Sequence, residues 1–461
     1  MAASLIDGQT CHSATLMTHR DGDVSANGKK KLEELWKDVD YNITDEISMI
    51  GKRFLARMSK NISIGKTGAQ RQEHSFGGLN FIVTSDFFQF PPVACSPREA
   101  LYWPCDVARD PFLSQIGRTI YEEFVMVVTL KQQMRVSDPT WHNFLHRLRY
   151  GELEEGDINV LRSLVLTLPN TVIPDFDTEP WKDVVLVTPR HGVREEWNNA
   201  SIARHCKATG QQLLVSPLQL DIKGTLPTVT EQRAIARHYA KNHKCSGAEL
   251  QHEVKFTIGM RVFVTRNIDL ERDLSNGARG VITDVLLHRE ESPLSQEEPL
   301  IRLQHPPAVV FVQLDKTRAG SLPGLESKVV PIEPIQRSFR INFQDTDGGR
   351  ITRTVHETQL PITAAYACTD YRAQGQTLSS VIVDISSPPT GALSLFNLYV
   401  ALSRSRGRDN LRILRDFDSK WFKKGHDEHL LLEDDRLREL DAQTKVWWEN
   451  VNENVDAASG H

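Results

Sequence analysis

Cysteine is scarce in this chain, six in 461 residues, and none sits in a CxxC pair or at zinc-ligand spacing from a histidine. That argues against a disulfide scaffold and fits a reducing compartment. No apolar run is long enough to span a membrane. The N-terminal stretch lacks the basic leader and long apolar core of a signal peptide, and Asp7 and Asp21 count against a mitochondrial leader. A strong excess of one charge sign is also missing. The net charge of −5 argues against a wholly basic nucleic-acid coat but leaves room for a locally basic channel. No internal repeat is present. What remains is an ordinary globular composition, 39% hydrophobic and 25% charged, on a chain long enough for two or three domains.

Short apolar runs alternate with longer helical stretches, the texture of an α/β protein. Tyr41 to Thr44 reads as a strand closed by the acidic pair Asp45-Glu46, and Ser48 to Lys60 as a helix whose apolar face is Met49, Phe54, Leu55 and Met58. Further strands are expected at Leu79 to Thr84, Phe124 to Leu130 and Asp183 to Thr188. Helices are expected at Thr140 to Tyr150, with Arg147 and Arg149 as basic positions, and at Gly192 to Cys206. From Val254 to about Thr358 the runs shorten, and Gly and Pro become frequent. KFTIGMRVFVT, the turn SNGARG and VITDVLLH read as strands around tight turns, a small β-barrel. The α/β texture returns at Leu360 to Ala367 and Val381 to Ile385. The C-terminal run is acidic and helical, with a solvated face, and Trp447-Trp448 reads as a packing anchor.

Asp45-Glu46 at a strand end suits a metal carboxylate followed by one that orients or deprotonates water. An Asp-Glu pair is more often a solvated turn. In SDFFQFPPV a strand delivers Asp86, Gln89 follows on a loop stiffened by Pro91-Pro92, and Gln89 is placed to sense a γ-phosphate; the bland alternative is a surface loop with aromatic anchors. Arg135 and Arg404 are candidate arginine fingers, since a planar guanidinium pairs two phosphate oxygens, although most arginines are surface or ion-pair residues. The cluster Arg404, Arg406, Arg408, Arg412 and Arg415 suits phosphate chemistry or a nucleic-acid backbone. In YRAQGQT, Gly375 permits close approach to a phosphate, and Gln374 and Thr377 can bond phosphate or sugar; an ordinary polar turn would look the same. A glycine-rich phosphate loop is absent. The nearest string, IGKTG from Ile64 to Gly68, has Lys60 where the first glycine is required, and it follows the acidic pair with no apolar strand leading into it. It reads as a loop after a helix.

In order and spacing, DEISMI, SDFFQFPPV, QQMR, a β-rich insertion opened by SNGARG, YRAQGQT and YVALSR together resemble superfamily 1 DNA helicases of the petite-integration-frequency (PIF) branch. The likeness looks closest to the helicase parts of fungal Helitron transposons, and runs from about Ala3 to Asp418. The segment GQTCHSA resembles the family's stretch that follows the phosphate loop and touches single-stranded DNA.

The resemblance implies an α/β fold of two RecA-like domains with nucleotide between them. Residues 1–123 would be an incomplete first domain, 124–254 and 358–418 the second, 255–357 a β-rich insertion and 419–461 an acidic helical tail. It also implies ATP and Mg²⁺ as cofactors, 5′-to-3′ movement on single-stranded or forked DNA, a monomer, and a nuclear location. By position, Asp45 would hold Mg²⁺, Glu46 would activate water, Gln89 would sense nucleotide, and Arg135 and Arg404 would reach the γ-phosphate. Gln374 and Gly375 would couple nucleotide to DNA, and Thr10 and His12 would lie near the DNA path. Three departures mark this chain: no phosphate loop, Ser85 where the family has Gly, and Tyr371-Arg372 where it has His-Lys. The first implies an N-terminally truncated member with impaired ATP hydrolysis, because that loop supplies most of the grip on the β- and γ-phosphates. The alternatives are a non-catalytic single-stranded DNA-binding protein or an inert transposon remnant.

Overall fold

The structure is a computed structural model that describes residues 8–17, 23–66, 74–93, 95–169, 171–242, 250–269, 272–295, 297–317, 320–344, 349–387 and 392–459. The start of the chain with Asp7, the leader residue Asp21, and Thr67-Gly68 of the IGKTG string lie outside them. Two compact units form: a split unit made of residues 8–190 and 369–461, and an inserted unit made of residues 191–368. The sequence reading drew its breaks at 123/124, 254/255, 357/358 and 418/419.

The split unit opens with α1 (Cys11–Ala14), α2 (Ala26–Trp36), β1 (Tyr41–Thr44), α3 (Lys52–Gly65) and β2 (Asn80–Val83). β1 and β2 pair in parallel, Tyr41 opposite Asn80 and Thr44 opposite Val83. In α3 the residues Leu55, Met58 and Ile62 recur at helical spacing, and all three are buried with Leu32, Trp36 and Ile120. α4 (Phe112–Glu122) packs on α3 so closely that a Cβ built on Gly117 would lie 1.9 Å from the Lys52 carbonyl oxygen. α5 (Pro139–Tyr150) starts with Pro at its first turn and Asp138 as N-cap, whose carboxylate accepts from the Thr140 and Trp141 N–H groups. α6 (Glu155–Arg162) and β3 (Val185–Val187) follow.

The inserted unit contains α7 (His191–Thr209), β4 (Leu213–Pro217), β5 (Gln219–Asp221), α8 (Val229–Asn242), β6 (Glu253–Phe256), β7 (Arg261–Val264), β8 (Arg279–Leu286), β9 (Leu300–Arg302), β10 (Val309–Leu314), β11 (Val329–Ile332), β12 (Ile335–Gln344), β13 (Arg350–Gln359), β14 (Ile362–Ala364) and β15 (Ala367–Cys368). Its strands include a five-stranded antiparallel sheet in the order β11-β10-β8-β7-β14 and two three-stranded sheets, β12-β13-β5 and β6-β4-β9. Phe256, Val262, Val264, Ile282, Val310 and Val312 share its principal apolar core. Ile362 pairs with Val264, so the stretch after Leu360 belongs with the antiparallel strands and not with a resumed α/β layer.

The chain re-enters the split unit through α9 (Asp370–Ala373), β16 (Val381–Val383), α10 (Leu395–Leu402), β17 (Leu411–Ile413) and α11 (Glu428–Ser459). β16 lies between β3 and β17, parallel to both, and all three residues of β3 and of β16 are buried. Such three-residue strands read as continuous apolar runs because both faces are covered.

Phe124 to Leu130, an expected strand, forms none. The segment runs along α11, where Val127 N–H donates to Thr444 Oγ1 at 3.0 Å and Thr129 N–H to Asp441 Oδ1 at 2.8 Å. Side chains of a helix therefore satisfy the backbone groups that a sheet ladder would have used. The tail is not simply a solvated face either. Leu430 is fully buried, and buried Glu433 accepts from Tyr121 Oη at 2.6 Å. Trp447 and Trp448 are exposed and anchor nothing among the described residues.

Candidate active site

Parallel strands leave their backbones side by side at their carboxyl ends, the usual place for a ligand in an open α/β sheet. Here Thr84 N–H donates to the Thr44 carbonyl at 2.9 Å, and Ile47 N–H to the Thr84 carbonyl at 3.2 Å. The turn after β1 and the turn after β2 are thereby fastened together. Asp45 Oδ1 accepts from Thr84 Oγ1 at 2.5 Å and from the Glu46 N–H at 2.9 Å, while Ser48 N–H donates to Ser85 Oγ at 2.9 Å. Glu46 sits in the left-handed region at φ 56°, ψ 46°, which costs a non-glycine residue on the order of 1 kcal/mol.

That conformation sets the Glu46 carboxylate beside the loop after α9. Gln374 Nε2 donates to Glu46 Oε2 at 2.8 Å. Gly375 adopts φ +73°, and a Cβ there would lie 3.8 Å from Glu46 Oε1, so the backbone comes close to the carboxylate. Burial pushes the Glu46 carboxyl above its ordinary range; the Gln374 bond and Arg404 oppose the rise, and Asp45 and Asp86 add to it.

Two guanidiniums complete the cluster. Arg404, at the end of α10, is 1% exposed. Its Nε donates to the Val400 carbonyl at 2.7 Å, its Nη2 to Ser403 Oγ at 2.6 Å and its Nη1 to the Ala373 and Gln376 carbonyls at 3.4 and 3.3 Å. Arg135 donates through Nε to Thr377 Oγ1 at 2.9 Å and through Nη1 to the Ser403 carbonyl at 3.2 Å. Among the described residues neither forms a salt bridge. Burial, and for Arg404 the charge of Arg135, presses both pKa values down, yet a guanidinium stays protonated at neutral pH. Arg404 is buried and Arg135 half-buried; their hydrogen bonds go to neutral oxygens, and Glu46, with Asp86 for Arg404, supplies the nearby negative charge that a phosphate could pair with more directly.

The loop after β2 carries Asp86 and Gln89. Asp86 Oδ1 accepts from Arg149 Nη2 at 2.9 Å and caps its own loop through the Phe88 N–H at 3.1 Å. Among the described residues, Gln89 Oε1 and Gln374 Oε1 are buried acceptors without a hydrogen bond. Phe90 stacks on Tyr371 with ring centroids 3.9 Å apart, tying this loop to α9.

The expected residues Asp45, Glu46, Arg135, Gln374, Gly375 and Arg404 thus gather around one carboxylate, with Gln89 on the adjoining loop. Apart from this cluster, Thr10 is the N-cap of α1, accepting from Ser13 N–H, and His12 lies edge-on to Phe54 at 4.7 Å. The expected arginine cluster does not form one phosphate-facing group. Arg408 pairs with Asp138 at 2.7 Å and Arg415 with Asp384 at 2.6 Å. Arg412 donates to the Val172 carbonyl at 3.1 Å, and Arg406 is exposed. Sequence reasoning gave Arg149 no role and missed Thr84. Each acts through a contact distant in sequence, and spacing carries no signal for that.

The donor set fits a nucleotide with its metal. Asp45 is the carboxylate that would hold Mg²⁺ directly or through water, Glu46 beside it would orient a water, and Arg135 and Arg404 match phosphate charge. Mg²⁺ bound there would neutralise charge developing on a phosphoryl group.

Residues 1–147 match the family of PIF1-like helicases. The chain is 25% identical over 445 residues to the ATP-dependent DNA helicase PIF7 of Trypanosoma brucei brucei, covering 91% of this chain and 41% of that protein. It is 25% identical to PIF1 of Danio rerio over 84% of this chain and 47% of the relative, and 24% identical to PIF1 of Emericella nidulans over 91% and 53%. The chain therefore spans about half the length of these relatives. Pif1 helicase from Bacteroides in complex with ADP-AlF3 and ssDNA superposes with a TM-score of 0.61 at 19% identity, covering 95% of this chain and 85% of that one. Pif1 from Candida albicans gives 0.61 at 20% identity, with 94% and 85% covered. At such identities the likeness is one of fold, a mixed α/β architecture shared with solved Pif1 helicases. The likeness to PIF1-like helicases thus rests on residues 1–147 and on relatives 24–25% identical to this chain.

Proposed function

We propose that the split unit carries the nucleotide centre of an ATP-dependent DNA helicase that moves 5′-to-3′ on single-stranded or forked DNA. The single observation that carries this reading is the pair Arg135 and Arg404, held by neutral oxygens without a salt bridge beside the Glu46–Gln374 bond. In this reading Asp45 holds Mg²⁺, Glu46 orients the attacking water, and Gln89 senses nucleotide from the loop after β2. Arg135 and Arg404 stabilise charge on the γ-phosphate, and Gln374 with Gly375 couples that event to DNA. Thr10 and His12 lie toward the DNA path. One chain supplies every member of the cluster, so a monomer suffices. The two RecA-like domains, the barrel closure of the insertion, the Helitron kinship and a nuclear site of action belong to the same proposal.

Within these 461 residues no glycine-rich loop with its lysine is available to grip the phosphates. The chain by itself is therefore expected to hydrolyse ATP weakly or not at all. ATP turnover with Mg²⁺, with and without single-stranded DNA, run alongside Glu46→Gln, tests the assignment. DNA-stimulated turnover that Glu46→Gln abolishes supports the catalytic role of Glu46. Turnover that survives the substitution removes Glu46 from the mechanism.

A second reading is a non-catalytic single-stranded DNA platform. Steeply salt-dependent binding indifferent to ATP would support it, and no binding at low salt would end it.

A further inference from the structure

We propose that His288, Glu290 and His305 of the inserted unit form a binding site for a divalent transition cation of the Zn²⁺ class. One ligand atom from each of the three lies within 4.8 Å of the others. The imidazole rings of His288 and His305 have centroids 4.6 Å apart at an interplanar angle of 35°. Two imidazoles and a carboxylate select Zn²⁺, Co²⁺ or Ni²⁺ over Mg²⁺ or Ca²⁺, which prefer all-oxygen sites. Water would fill the remaining coordination position.

The topology explains why these residues meet. β8 and β10 are antiparallel neighbours whose ladder ends with Val309 opposite Leu286. Between those ends the chain makes an excursion, during which β9 pairs with β4 in another sheet. His288 stands on the outgoing leg and His305 on the returning one, at the neck of the excursion. The neck is already pinned without metal. The Glu291 carboxylate accepts from the Gln304 N–H at 3.0 Å and from the His305 N–H at 3.0 Å, and Gln304 Nε2 donates to Ser292 Oγ at 3.3 Å. Preorganised legs reduce the ordering that metal capture would otherwise require.

Two contacts must give way. Glu290 lies 3.6 Å from Arg289, but both side chains are largely exposed, and such pairs hold weakly. The Glu290 N–H also donates to His288 Nδ1 at 3.2 Å, a long bond that coordination would exchange for a metal–nitrogen bond. The bound ion would clip the excursion shut, linking the β8–β10 ladder to the sheet that contains β9. This site is independent of the nucleotide cluster.

The test is Zn²⁺ titration of the full chain, after chelator treatment, against a competing chromophoric chelator, with Co²⁺ visible spectra as a second readout. His288→Ala and His305→Ala are compared with the parent, and metal-free melting curves establish that each variant folds. We expect one Zn²⁺ bound per chain at this site, an affinity at least about tenfold lower in either variant, and a Zn²⁺-induced rise in melting temperature in the parent alone. Zn²⁺ affinity and Co²⁺ spectra unchanged in both folded variants would overturn the proposal, as would no binding by the parent at micromolar metal.

Discussion

Gln374 Nε2 lies 2.8 Å from Glu46 Oε2, although 328 positions separate the two residues in the chain. The bond joins the turn after α9 to the turn after β1, so both sequence segments of the split unit meet at one carboxylate. Burial holds that carboxyl above its ordinary pKa. A carboxyl raised on folding contributes stability below its unfolded value of about 4.3 and loses it as pH climbs through the folded value. Glu46→Gln keeps the shape and removes the charge. Its urea midpoint at pH 7 is expected to exceed that of the parent, with the difference shrinking toward pH 4; a lower midpoint at pH 7 would contradict the cost assigned to this carboxylate.

Arg135 and Arg404 should separate under mutation. Arg135→Ala is expected to melt like the parent and to lose about tenfold in affinity for Mg²⁺–pyrophosphate, the size of one charge-assisted contact. Arg404→Ala empties the space of a fully buried side chain and takes one donor from the Val400, Ala373 and Gln376 carbonyls, of which Val400 keeps Ser403 Oγ and Ala373 keeps the Gln376 N–H. It should cost roughly 3 kcal/mol by denaturant titration. Unchanged pyrophosphate affinity in Arg135→Ala would remove that residue from the phosphate site.

Asp86 is the counter-charge of Arg149, which also lies 4.5 Å over the Phe88 ring. Asp86→Ala leaves the half-buried Arg149 guanidinium with Asp434 at 4.0 Å and Tyr150 Oη at 3.1 Å, and is expected to cost about 2 kcal/mol of unfolding free energy. A loss under about 1 kcal/mol would show the pair to be a surface contact in energetic terms.

Two glycines make a graded pair. Gly117→Ala drives a methyl into the Lys52 carbonyl at the α3–α4 contact and should cost about 3 kcal/mol or more. Gly375→Ala meets ordinary contact distances but must hold φ +73°, so about 1 kcal/mol is expected. Equal losses in chemical denaturation would contradict the close helix approach.

His426 is half-buried against Phe88, with ring centroids 5.0 Å apart, and its Nε2 is 2.8 Å from the Arg149 carbonyl. Burial lowers its pKa despite that bond, and the Arg149 charge adds to the depression while Asp86 opposes it. A histidine depressed on folding contributes stability above its unfolded value near 6.5 and loses it as pH falls toward the folded value. The parent should therefore lose more stability than His426→Gln between pH 7 and pH 5.5, read as urea midpoints.

Much of this was legible in the sequence. β1 ended where the acidic pair begins, α3 and α5 followed their apolar spacing, and α7 formed over the helical stretch expected from Gly192 to Cys206. Phe124 to Leu130 was not legible as a strap along α11, because an apolar run suggests a buried strand, whereas here Val125, Met126, Val128 and Leu130 stay exposed and it is backbone N–H groups that bond to α11 side chains. The arginines after α10 failed for a related reason: composition counts charges, whereas Asp138 and Asp384, distant in the chain, decide which of them are already neutralised. Gln374 and Glu46 were each visible as motif members, but their bond depends on the left-handed turn at Glu46, which no residue type there announces.

β1 and β2 pair only with each other among the described residues, and Tyr41, Ile43 and Ile82 stand largely open to solvent. Two strands with bare edges and an oily face are a template for any further extended segment. Association between copies of the chain is therefore expected to run through this patch rather than to follow net charge. Dilution, or a single lysine on that face, should keep it dispersed where added salt would not.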